Sequence, residues 1–287
     1  MLALALLGAA LAFTEADATN AYRAAEDLVK TCTPRDAGTV RGRLAALRIL
    51  DAASAQGARA WLDEFDAPTP RGRRLFTNVL AEWQTSATGE WVVVVSHYDT
   101  KPGTACPGAN DGASTTGLLV ALAGILNNAH ADNVALMWLD GEECMRGYTE
   151  NDGLWGSKHA AKRLKASGRA VKAVICVDML GDRDLTISIP RNVSPGLRTV
   201  ALKAARRLRL GGKVRAIREL VKDDHLPFMC EGFPAIDLID FDYGDAPKKN
   251  NWWHTPADTM DKLDVSSFLV AGRLVVAMLN DLLGAAP

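Results

Sequence analysis

The segment MWLDGEEC (residues 137–144) runs from apolar residues into three carboxylates, two of them the adjacent Glu142 and Glu143. Neighbouring strand residues point to opposite faces, so if extended geometry persists here the two glutamates cannot share one task. Further acids and imidazoles follow or flank the other apolar runs: His97 and Asp99 after WVVVV, Asp178 after AVICV, Asp111 in PGANDGAS and His254 in NWWHTPADT. Taken singly, Asp111 could merely cap a helix, Asp178 could end a strand, and His254 could be structural. Taken together they crowd negative charge that repels itself unless a cation is bound. Imidazole plus carboxylate donors suit Zn²⁺, whereas an all-oxygen set would favour Mg²⁺ or Ca²⁺.

The elements that must position these residues are legible from periodicity. Helical spacing marks two helices over 15–57; RAWLDEFDA and RRLFTNVLAEW read as hairpin strands split by the breaker PTPRG. Val92 to Val95 form an unbroken β-branched run, as expected of a central strand covered on both faces. Helices are then predicted over 112–127, 153–167, 196–209 and 265–283, alternating with strands over 133–140, 171–179 and 234–240. That order predicts a single α/β domain whose mostly parallel central sheet is flanked by helices on both faces. In such sheets ligands bind beyond the carboxyl ends of the strands, where the acids and histidines fall.

At 287 residues one large core is the economical reading. Lys plus Arg total 33 against 34 acidic residues, and the basic runs RGRR and KKNN are short, so no nucleic-acid partner is expected. Five cysteines lack CxxC spacing, which excludes a zinc ribbon or a thioredoxin-type pair and leaves one or two disulfides open. The opening MLALALLGAALAF is too short to span a bilayer, so no membrane span is expected. Followed by Ala16-Asp17-Ala18, it reads as a signal peptide over 1–18, and the protein as secreted or periplasmic; without a leading Lys or Arg, an ordinary buried helix or a mis-called start codon is the competing reading, and the protein is then cytoplasmic.

SHYDT, GANDGAS, LDGEE, VDMLGD and WWHTPADT together resemble, in order and spacing from about residue 91 onward, the zinc-dependent aminopeptidases and their relatives, the animal-type glutaminyl-peptide cyclotransferases. The resemblance implies a zinc aminopeptidase-like, phosphorylase/hydrolase-like catalytic domain over 19–287, acting as a monomer on peptide or protein N termini. It implies Asp111, Glu143 and His254 as zinc ligands and Glu142 as catalytic acid/base. His97 and Asp178 would complete a second zinc site in the peptidase branch. Two stretches lean toward the cyclase branch: NDGLWGSKHAAK after the glutamates, and KDDHLPF, with Asp223 as its functional carboxylate. Trp253 resembles the indole that walls the cyclase pocket, and Tyr148 stands where the family often has another Trp; both are therefore expected to bind substrate.

There are departures. Ser96 precedes His97 where the animal cyclases carry a disulfide Cys, and Lys222 stands where Gln would be usual. The loop from Phe241 to Asn251 is longer than in the animal enzymes. Cys144, as the strand neighbour of Glu143, is expected to face away from a metal.

The cyclase branch implies one zinc per chain. The substrate's own amine attacks its glutamine side-chain amide and expels ammonia, Glu142 shuttling the proton, with Asp178 and Asp223 holding Glu142 and the leaving group. The aminopeptidase branch implies two zincs bridged by Asp111, with Glu142 deprotonating a bound water.

Overall fold

The computed structural model describes residues 10–83 and 89–284. Of the expected leader, residues 1–9 lie outside them. Leu11 and Phe13 are buried in the main core, and Leu11 exchanges two backbone hydrogen bonds with the Asn280 side chain. The Ala16-Asp17-Ala18 trio lies inside the first helix, α1 (Glu15–Cys32), which Thr14 and Asp17 close with a reciprocal capping box.

After α1 and α2 (Val40–Ala55) come strands β1 (Arg59–Thr69) and β2 (Gly72–Trp83), then β3 (Trp91–His97), α3 (Thr115–Asn128) and β4 (Val134–Leu139). The chain continues through α4 (Trp155–Ala166), β5 (Val171–Asp178), β6 (Ile187–Ile189), α5 (Pro195–Arg207), β7 (Val214–Ala216), α6 (His225–Cys230), β8 (Ala235–Ile239) and α7 (Val265–Leu283). The eight strands order as β1-β2-β4-β3-β5-β8-β6-β7. The β4-β3-β5-β8 centre is parallel, the β1-β2 hairpin joins it antiparallel, and β6 meets β8 antiparallel. The sheet is thus mixed around a parallel centre, and helices cover both faces as expected.

The valine run explains itself once the layers are known. Val92 and Val94 face a core built with α1, α2, α3, α5 and α7, while Val93 and Val95 face a second core with α4 and α6. Both faces are dry, so a period-two pattern would serve no purpose. The α1–α3 packing is close: a Cβ on Gly117 would fall 2.2 Å from the carbonyl oxygen of Ala21.

Three elements escape the sequence pattern. β6 and β7 have three residues each and α6 has six, too short for a periodicity to register. The hairpin strands run further into PTPRG than expected, leaving only Pro70 and Arg71 as the turn. The last helix begins where expected, with Asp264 accepting from Ser266 N–H as N-cap.

Candidate metal centre

From β3 the chain moves one way to β4 and the other way to β5 and β8, so the order reverses beside β3. A crevice opens at such a reversal, beyond the strands' carboxyl ends. His97 ends β3 and Asp178 ends β5, and His97 Nε2 lies 3.1 Å from Asp178 Oδ1 across it.

Asp111 reaches the crevice from a kinked turn, Ala109–Ser114, that precedes α3. Asp111 (φ −79°, ψ 97°) and Gly112 (φ 88°, ψ −43°) leave helical geometry there. Gly112 is required, since its φ is left-handed and a Cβ would fall 3.0 Å from the His97 ring. Asp258 holds the turn, accepting from the N–H of Asn110 (2.7 Å) and Asp111 (3.2 Å) and from the Tyr243 hydroxyl (2.6 Å). Arg35, fully buried, donates to the carbonyls of Pro107 and Gly108 on the loop before it.

The two glutamates differ from expectation in their geometry. Strand β4 ends at Leu139, and Gly141 at φ 77° turns the chain out of extended geometry, so Glu142 and Glu143 do not point to opposite faces. Both enter one cavity of about 220 Å³, where the Tyr148 hydroxyl lies 2.9 Å from Glu142 Oε2 and 3.1 Å from Glu143 Oε2. Asp99 fixes this corner from behind, accepting the Glu142 N–H (3.1 Å) on one oxygen and the Glu143 N–H (3.2 Å) on the other. Asp140 turns away and accepts the Thr77 N–H of β2.

Asp111, Glu143 and His254 converge. One ligand atom from each lies within 4.8 Å of the others, and Asp111 Oδ2, Glu143 Oε1 and His254 Nε2 are all buried without a hydrogen-bond partner. His254 Nε2 sits 2.7 Å from Glu143 Oε1 and 3.3 Å from Asp111 Oδ2, close approaches that lack hydrogen-bond geometry. Three lone-pair donors aimed at one point, two carboxylates and an imidazole, fit a zinc ion. Without an ion, burial would pull His254 down, but Asp111 and Glu143 outweigh it and push it up to about 9. Asp111 is held far below the carboxylate range against its own burial by His254 and His97.

A second group, His97, Asp111 and Asp178, shares Asp111 with the first. His97 Nε2 is 3.1 Å from both carboxylates, and with Asp99 they raise its pKa well above the usual value despite full burial. Asp178 rises to about 7, chiefly by burial, opposed by His97. Glu142 is raised well above its range by burial and then by the Glu143 charge. That shift suits a group that takes and returns a proton.

The remaining expected residues close the cavity. Trp253 stacks on His254 with ring centroids 3.8 Å apart and meets Phe241 edge-on at 5.7 Å, whereas Trp252 packs against Tyr243. Asp223 is buried at the wall, accepting from Asp224 N–H and from the Cys176 thiol. Behind it stands Asp237, fully buried, with neither oxygen hydrogen-bonded and His225 Nδ1 at 3.8 Å, its pKa raised by burial and by Asp223. Sequence reading passed over Asp237; an aspartate inside the apolar strand PAIDLI was the available signal. Cys144 keeps out of the convergent group, its sulfur 2.8 Å from Lys101 Nζ, and all five cysteines are free.

An α/β sheet carrying such a carboxylate–imidazole centre at its switch point belongs to the class of zinc-peptidase-like enzymes. Residues 78–279 match peptidase family M28, and the chain belongs to that family. Within it, the chain is similar to the glutaminyl-peptide cyclotransferase-like protein of Bos taurus, at 27% identity over 85% of this chain and 71% of that protein. The fold superposes on a glutaminyl cyclase from an Acidobacteriales bacterium with a TM-score of 0.86, at 30% identity and full coverage of both chains. It also superposes on the glutaminyl cyclase of Porphyromonas gingivalis, with a TM-score of 0.81, 25% identity, and 92% and 98% coverage.

Proposed function

We propose that the protein is a zinc-dependent glutaminyl-peptide cyclotransferase, converting an N-terminal glutamine of peptides to pyroglutamate with release of ammonia. The observation that carries this reading is the placement of Glu142, with its raised pKa, in a small cavity beside Asp178 and Asp223 and facing Trp253. The likeness to glutaminyl cyclases, over full length for the Acidobacteriales enzyme, supports it.

One zinc ion held by Asp111, Glu143 and His254 would supply a Lewis acid for the side-chain amide oxygen. Glu142 takes the proton that the attacking amine loses as the new carbon–nitrogen bond forms, and returns it to the amide nitrogen that leaves as ammonia. The Tyr148 hydroxyl holds the Glu142 carboxylate in place. Asp178, pushed up to about 7, and Asp223 hold hydrogen bonds around Glu142 and the leaving nitrogen. Trp253 walls the pocket, keeping water out and the glutamine folded into its reactive conformer. No water molecule enters the balance: amine and amide of one residue become lactam and ammonia.

A second reading, a two-zinc aminopeptidase, draws on the His97–Asp111–Asp178 group, which shares Asp111 with the first. In it Glu142 would deprotonate water instead of an amine. Incubation with a Gln-initiated peptide and, in parallel, with a leucine anilide separates the two. Ammonia from the peptide supports cyclisation; arylamine release alone would assign the chain to the peptidases.

We further place the enzyme outside the cytoplasm, as a monomer. Because Leu11 and Phe13 belong to the core, a leader would be removed ahead of Leu11 rather than after Ala18.

A further inference from the structure

Lys222 lines the catalytic cavity and also lines a larger open groove of about 620 Å³ beside it. The groove passes between the β1 edge at Phe65, the loop 149–151, the first turns of α4 and the exposed side of α6. Its bed is apolar, with Phe65, Trp155 and Leu226, while Lys222, Lys158 and Lys162 supply positive charge.

Among the described residues these lysines form no ion pair. Lys158 donates to the main-chain carbonyls of Glu150 and Gly153, both at 2.8 Å, which orient the ammonium without cancelling its charge. Asp66, Glu150 and Glu231 also border the groove, yet among the described residues none of their carboxylates pairs with Lys158, Lys162 or Lys222. Burial first, and the neighbouring Lys222 charge next, pull Lys158 below its ordinary pKa, outweighing Glu150 and Asp152. Two like charges bordering one groove, one of them also at the cavity, favour an anion between them.

Cyclisation consumes only the amine and side-chain amide of the first residue, so the rest of the peptide must leave the cavity through its mouth. Lys222 stands at that mouth, where cavity and groove meet. We propose that the groove receives the residues following the N-terminal glutamine, and that Lys222 and Lys158 select peptides bearing a carboxylate at the third or fourth position. This rests on the cyclotransferase reading above. The substrate class is therefore acidic peptides and acidic protein N termini, with the aliphatic stems of their side chains lying against Trp155 and Leu226.

The test uses the full zinc-loaded chain and two tetrapeptide amides, Gln-Ala-Glu-Glu and Gln-Ala-Lys-Lys. The ratio of their kcat/KM values is measured on one preparation, so the folded fraction cancels. For half-exposed ion pairs we expect about a five-fold preference for the acidic peptide at low salt, narrowing as salt is added. In a Lys158→Gln and Lys222→Gln double variant the ratio should fall close to one. Equal rates for the two peptides on the unmodified chain, or a ratio that the double variant leaves unchanged, would overturn the groove assignment alone. Failure to cyclise either peptide would overturn the function itself, and the groove with it.

Discussion

The phenolic oxygen of Tyr148 lies 2.9 Å from Oε2 of Glu142, so the ring that walls the pocket also steers the residue that moves the proton. Lys101 and Lys222 sit over this ring, 4.9 and 5.9 Å from its centroid. Tyr148→Phe keeps the wall and deletes the hydroxyl. A lost hydrogen bond to a charged partner should lower kcat by about ten- to a hundred-fold with little change in KM. Unchanged kcat and KM would show instead that Tyr148 serves only as a wall.

Glu142 and Glu143 share a cavity but not a role, and single substitutions should separate them. Glu142→Gln is expected to lose about two to four orders of magnitude in turnover while zinc content per chain stays at the level of the unmodified protein. Glu143→Ala removes one of three convergent donors and should lose the metal. Elemental analysis beside the ammonia assay reads both; an active Gln variant would mean the proton shuttle lies elsewhere.

Asp99 never enters the cavity, yet its two oxygens receive the N–H groups of both glutamates. An amide has only one acceptor oxygen, so Asp99→Asn must leave one N–H facing an NH₂ group. Zinc affinity, measured by competition with a chromophoric chelator, should weaken by about ten- to a hundred-fold, as for other residues that orient ligands. Unchanged affinity would show that the turn holds its shape without Asp99.

Asp240, buried at the end of β8 and away from the convergent donors, gives a stability test. Burial pushes its pKa up to about 7, against which the N–H groups of Thr186 and Asp242 only partly compensate. The folded chain therefore keeps a proton that the unfolded chain loses in the ordinary carboxylate range. Folding takes up protons in that window, so stability from this group is full below about pH 4 and declines as pH rises to about 7. Urea unfolding at several pH values should show this decline, on the order of a few kcal/mol at most, flattened in Asp240→Asn. The same slope in the variant would assign the decline to other acids.

Much of this was legible in the sequence because it is written in long signals. The valines of β3 announce a strand buried on both faces, and an acid or imidazole just beyond an apolar run announces the sheet's carboxyl edge. That logic found His97, Glu142, Glu143 and Asp178, while Asp111 and His254 stood out in the segments before helices, and the structure brings them together. It failed where geometry hangs on one residue or on main-chain contacts. The left-handed Gly141 puts both glutamates into one cavity, which strand alternation would forbid. Asp258 and Arg35 act through backbone N–H and carbonyl groups that no spacing in the chain marks, and Asp99, though marked by its place after WVVVV, plays its part only through such contacts. The hydroxyl of Tyr148 was read only as part of a pocket wall, since which way a ring's polar end points is decided by its neighbours.

The central claim is that the amine and the amide of one glutamine react with each other under Glu142, with no water consumed. Mass spectrometry of the product formed from a Gln-initiated peptide in heavy-oxygen water tests it directly. Cyclisation predicts a peptide lighter by one ammonia and free of the heavy isotope. A product that has gained heavy oxygen, as glutamate or as a released amino acid, would contradict it.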